Sequence, residues 1–111
     1  MIPKIAHFIW LGGKPLPELY RESIDRFSRL HPAWQVKLYR EIPEEMPKDL
    51  RKVCESAVLY VQKSDVLRTW LLYEYGGVYF DTDFIFVRSV DDLLNKDAWI
   101  TKPTTPPISR N

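Results

Sequence analysis

The sequence predicts an α/β fold in which a mainly parallel sheet carries helices on its faces. Three observations lead there. Apolar runs and amphipathic stretches follow the order strand, helix, strand, helix, strand, which is the pattern of crossover connections between parallel strands. The opening run is apolar without alternation, as expected of a strand covered on both faces. Two glycine pairs, Gly12-Gly13 and Gly76-Gly77, punctuate the elements.

Taken in order, residues 3–11 (PKIAHFIWL) read as the first strand, central in the sheet. Gly12-Gly13 turns the chain, and Pro15 and Pro17 delay the next element. From 18 to 30, Leu19, Ile24, Phe27 and Leu30 mark an amphipathic helix. It ends at His31-Pro32, because the residue before a proline avoids the helical conformation. Residues 34–39 alternate and read as a second strand, with Trp34, Val36 and Leu38 on one side. Pro43 and Pro47 among acidic residues make 41–48 a loop. A second helix is expected over 49–61.

A third helix is expected over 64–75. Ser64 can cap it, and Asp65 then falls in the first turn, where the helix dipole favours negative charge. Val66, Leu67, Trp70, Leu71 and Tyr73 recur as one apolar face. Asp65 and Arg68 are three apart and share a face. Gly76-Gly77 ends the helix, since glycine adopts a left-handed cap cheaply. A buried strand over 78–82 follows, and 84–87 continue extended. A short helical turn at 89–95 and a strand at 98–101 complete a single domain over 1–101. The Pro-rich tail at 102–111 is expected to be loop or disordered.

The 111 residues suffice for one small domain, and 45% hydrophobic with 14% aromatic content supports a packed core. A formal net charge of +1 argues against non-specific nucleic-acid binding, which needs a basic face. Cys54 is the sole cysteine, so neither an internal disulfide nor a thiolate zinc site can form, and a reducing compartment follows. The opening MIPKIAHFIWLGG lacks the pattern of a secretory signal. There is no run of about 18 apolar residues, so no transmembrane segment is expected. A cytoplasmic location, or a peripheral one at an inner membrane surface, is the expectation.

The chemistry concentrates at Asp81 and Asp83. In a strand, side chains two apart point the same way, so both carboxylates can face one site. Like charges held close repel, and a divalent cation removes the conflict. Aspartate oxygens suit hard ions such as Mn²⁺ or Mg²⁺, which also bind substrate phosphates. In an open α/β sheet that site lies beyond the carboxyl ends of the strands. Several other residues have plainer readings. His7 reads as a hydrogen-bonded core residue, His31 as surface, and Cys54 as buried and inert. Trp34, Trp70 and Trp99 read as packing, and Asp91, Asp92 and Asp97 as solvated.

HFIWLGG at 7–13, SDVLR at 64–68 and GGVYFDTD at 76–83 together resemble the DXD-motif glycosyltransferases of family 32. That family includes yeast Golgi mannosyltransferases and bacterial capsule and lipopolysaccharide enzymes, and it is related to the glucosylating clostridial toxins. The resemblance covers about residues 2–90. It implies a GT-A, Rossmann-like nucleotide-sugar-binding fold and transfer from a UDP- or GDP-sugar to a glycan or lipid-linked acceptor, with retention. It implies that Asp83 binds the donor's Mn²⁺ or Mg²⁺, and that Asp81 contacts ribose or sugar hydroxyls and reaches the metal through water. It gives Asp65 and Arg68 the donor sugar and phosphate, Trp10 the nucleobase by stacking, and Tyr79 a place near the donor. The family fold needs roughly twice this length, so the donor half is expected here without the acceptor half. The alternatives are a non-catalytic nucleotide-sugar-binding module, a fragment that needs a partner chain, and a remnant that self-associates through an exposed sheet edge.

Overall fold

A computed structural model describes residues 2–84 and 86. Its elements are β1 (Ile5–Ile9), α1 (Glu18–Leu30), β2 (Gln35–Tyr39), α2 (Lys48–Ser56), α3 (Tyr60–Tyr75) and β3 (Val78–Tyr79). The strands lie in the order β2-β1-β3, and both pairings are parallel. Ala6 is in register with Val36 on one side and Val78 on the other. The α/β expectation is borne out, with β1 central as its unbroken apolar sequence predicts. The anticipated helical turn at 89–95, the strand at 98–101, the tail, Trp99 and the aspartates beyond residue 90 lie outside the described residues, as do Ile85 and Val87 of the extended run.

Alternation along β1 divides the core between the two faces of the sheet. Ala6 and Phe8 join Val78 and Phe80 of the third strand and Ile24 and Phe27 of α1. Phe27 sits at the centre of that layer, edge-on to Phe8 at 6.0 Å and to Trp34 at 5.4 Å, the arrangement that ring quadrupoles favour. Ile9 faces the other way, toward Met46, Cys54, Leu67, Trp70 and Leu71 under α2 and α3. Burial raises the Cys54 thiol's pKa, in keeping with an inert core residue.

The local boundaries carry several corrections. α1 occupies the expected span, but Leu19 is exposed because its position turns away from the sheet. His31 is buried: its Nδ1–H donates to the Phe27 carbonyl at 2.8 Å, and its ring stacks on Phe27 at 4.0 Å. It closes the end of α1, where carbonyls lack intrahelical partners. The second helix stops at Ser56, whose hydroxyl donates to the Val53 carbonyl. α3 begins at Tyr60, so Ser64 is not its cap and Asp65 is not in its first turn. The Leu59 N–H instead donates to the Gln62 side chain at 3.2 Å. Leu67, Trp70 and Leu71 face the core. Tyr73 is exposed and borders a groove of about 460 Å³ between α2 and α3, with Leu50, Val53, Val66 and Trp70. Among the described residues no helix is long and apolar enough to cross a membrane.

Candidate functional site

The connection between α3 and β3 decides where the expected site residues stand. Gly76 and Gly77 both take positive φ, +71° and +94°, and their turn lies directly against β1. A Cβ on Gly77 would come 2.4 Å from the Ile5 carbonyl oxygen, and one on Gly76 would meet the Pro3 ring at 3.0 Å. Only glycine permits both the conformation and the approach. His7 holds the same turn from the neighbouring position, its Nε2 donating to the Gly76 carbonyl at 2.8 Å.

The third strand is shorter than expected. β3 ends at Tyr79, Phe80 adds one further pairing through its N–H to the His7 carbonyl, and Asp81–Phe84 then turns. The Phe84 N–H closes the turn on the Asp81 carbonyl at 3.1 Å. The Ser23 hydroxyl of α1 donates to the Phe84 carbonyl and ties the turn to that helix. Asp81 and Asp83 therefore share a turn rather than one face of a strand. Both are exposed, while Thr82 between them is buried.

Asp65, Arg68, Tyr79 and Asp81 form one electrostatic cluster at the carboxyl edge of the sheet. The Arg68 guanidinium is 3.5 Å from Asp65 and lies over the Tyr79 ring, 5.8 Å from its centroid. Burial raises the Tyr79 phenol's pKa; the Asp81 charge and the hydrogen bond that Asp81 accepts raise it further, and Arg68 opposes them. The phenol therefore keeps its proton at neutral pH, beside Asp81. The Asp65–Arg68 pair is half open to water, so it orients the guanidinium more than it stabilises the fold.

Trp10 stands apart from that cluster. It follows β1 at the same sheet edge but packs on the α1 side, edge-on to Tyr20 at 5.8 Å. Its indole N–H donates to the Lys14 carbonyl at 3.1 Å, and Arg40 donates to the carbonyls of both Trp10 and Lys14. Arg40 latches the Gly12-Gly13 loop, a role without a sequence signal because its partners are backbone carbonyls. Ser23 and His7 escaped notice as site supports for the same reason.

The carboxylates can be tested against a metal. Among the described residues no three His, Cys, Asp or Glu side chains converge as a metal cage. Asp81 and Asp83 offer hard oxygen donors on an open turn. That set fits Mg²⁺ or Mn²⁺, which take one or two carboxylates and complete their shell with phosphate and water. It does not fit a structural zinc centre.

The buried imidazole gives the site's support a pH dependence. Burial lowers the His7 pKa below its ordinary 6.5; the Gly76 carbonyl opposes this and Lys37 reinforces it. Below pH 6.5 the unfolded chain takes up this proton before the folded chain does, so the unfolded state binds more protons and stability falls with falling pH. The stability is present above that value and is lost as pH falls through the folded pKa. The melting temperature is expected to decline as pH falls below 6.5, and His7→Gln to flatten that decline. Thermal melts across the range check this, and equal slopes in both proteins would contradict it.

Comparison with known proteins bears on this geometry. A family described as "Glycosyltransferase sugar-binding region containing DXD motif" matches residues 17–100. Inositol phosphoceramide mannosyltransferase 3 of Schizosaccharomyces pombe is 31% identical over 99% of this chain and 32% of its own length. Mannosyl phosphorylinositol ceramide synthase SUR1 of Saccharomyces cerevisiae is 31% identical over 100% of this chain and 30% of its own. The chain thus spans about a third of these curated relatives. Among solved structures, the PaToxG glycosyltransferase superposes with a TM-score of 0.68 at 21% identity, over 81% of this chain and 45% of that one. That likeness is one of fold.

Proposed function

The chain belongs to the family of glycosyltransferase sugar-binding regions that contain a DXD motif, and from that premise we propose that it forms the donor side of a glycosyltransferase. The donor is a UDP- or GDP-sugar, and the sugar passes to a glycan or lipid-linked acceptor with retention of configuration. Two relatives are named for mannosyl transfer to inositol phosphoceramides, which favours a hexose and a lipid-linked acceptor. The observation that carries the reading is the cluster of Asp65, Arg68, Tyr79 and Asp81 beyond the carboxyl ends of parallel strands, where open α/β sheets take their ligands.

Asp83, with Asp81, would hold Mn²⁺ or Mg²⁺. Bound there, the cation would neutralise charge developing on the departing diphosphate. Arg68 presents a planar fork of donors to a phosphate oxygen. Asp65 steadies that fork at 3.5 Å and turns its remaining acceptor capacity to sugar hydroxyls. Tyr79 holds the Asp81 carboxylate in one orientation through its hydroxyl. Trp10 offers an aromatic face for the base, and stacking of this kind is worth about 1–3 kcal/mol.

Titration of UDP- and GDP-sugars with and without Mn²⁺, followed by tryptophan fluorescence and then by donor hydrolysis, tests the reading. Metal-dependent binding with turnover is the expected result. Binding without turnover would make the chain a donor-binding module. Absence of any metal-dependent binding would refute both.

A further inference from the structure

We propose that His7 is a positioning residue for the donor site: by holding the Gly76 carbonyl it fixes the angle at which α3 and β3 leave β1. The inference rests on the proposed donor reading and adds a residue to it. His7 is fully buried, and its Nε2 donates to Gly76 at 2.8 Å. Its Nδ1 is buried with no hydrogen-bond partner. A buried polar atom without a partner is costly. An apolar side chain of similar shape would fill the space without that cost. What the imidazole adds is a donor aimed at the end of α3, where helix carbonyls have no partners of their own.

His7 pairs with or packs against β2, β3 and the end of α3. It lies in register with Tyr79 on β3 and stacks on Tyr39 of β2, with 6.0 Å between ring centroids and 24° between planes. It belongs to the strand that leads into Trp10. Arg68 lies eight residues before Gly76, about 12 Å along the helix axis. A tilt of about 10° at Gly76 would therefore carry the Arg68 backbone about 2 Å from its place. Beyond the turn, the same tilt would shift Tyr79 and the carboxylate that it orients. The glycines permit this turn; His7 selects one geometry for it.

The test compares three variants, with Mn²⁺ plus UDP and Mn²⁺ plus GDP as probes. His7→Gln places an amide donor where Nε2 lies, His7→Asn places one nearer Nδ1, and His7→Leu keeps bulk without a donor. Folding of each is checked by circular dichroism. His7→Leu and His7→Asn are expected to raise the dissociation constant at least about tenfold, since misplacement of about 1 Å is that costly. His7→Gln is expected to stay within about threefold of wild type, because it remakes the hydrogen bond. Were His7→Leu not to fold, the Gln and Asn pair alone decides. Equal binding by Gln and Asn variants overturns the proposal. If the wild type binds neither nucleotide, the donor reading fails separately, and amide hydrogen exchange at residues 76–79 judges the clamp. Protection lost in His7→Asn and kept in His7→Gln supports it, and equal protection in both overturns it.

Discussion

Gly77→Ala is expected to destabilise the protein by about 2–5 kcal/mol, from about 1–2 for a left-handed residue with a Cβ and about 1–3 for overpacking. The new methyl group would stand 2.4 Å from the Ile5 carbonyl oxygen and 2.9 Å from the Ile5 Cβ. Both belong to the central strand, which cannot retreat without breaking its pairing with β2 and β3. A loss of that size is a large fraction of the stability of a small domain, about 5–15 kcal/mol. Gly13→Ala is the control. Gly13 also has positive φ, +79°, but a Cβ there would have nothing within 4 Å, so only the conformational cost of about 1–2 kcal/mol applies. Urea unfolding of the two variants separates the effects. Equal losses would mean that β1 does not confine the turn.

Asp83→Asn is expected to reduce metal-dependent donor hydrolysis about 10²–10³-fold, the usual loss when one group facing transition-state charge is removed. The amide keeps the size of the carboxylate and its place in the turn, so the Ser23 and Phe84 contacts that hold that turn should survive. Melting temperature is therefore expected to stay near that of the wild type, because Asp83 is exposed. Asp81→Asn should act less selectively. It weakens the acceptor of the Tyr79 hydroxyl and removes the charge that raises the phenol's pKa. Rates measured against Mn²⁺ concentration distinguish the two. A rate in Asp83→Asn that equals wild type at every Mn²⁺ level would remove Asp83 from the metal site.

Periodicity and punctuation carried the architecture. The apolar run around Phe8, the four-residue rhythm of Ile24, Phe27 and Leu30, and the glycine pairs are local signals, and they were enough to place strands, helices and a central β1. Failures came where distant partners outweigh local preference. His31 looked like a surface residue before a proline, yet Phe27 buries it by stacking. Ser64 looked like a cap, yet α3 gains a further turn before it, begun by Leu59 and Gln62. Tyr73 fitted an apolar helical face, yet it projects into the α2–α3 groove.

The residues proposed for the donor site stand out in the sequence because their order and spacing form the motif that carries the family resemblance. Their arrangement was not. That Asp81 and Asp83 sit in a turn, that Arg68 lies over the Tyr79 ring, and that Trp10 lies on the opposite face all depend on how β1 is inserted between β2 and β3. So do the roles of His7 and Arg40, whose partners are backbone carbonyls 69 and 26–30 residues away in the chain. Composition and periodicity report what each segment prefers alone. A carbonyl is the same group at every residue, so only the folded chain can decide which one a buried donor meets.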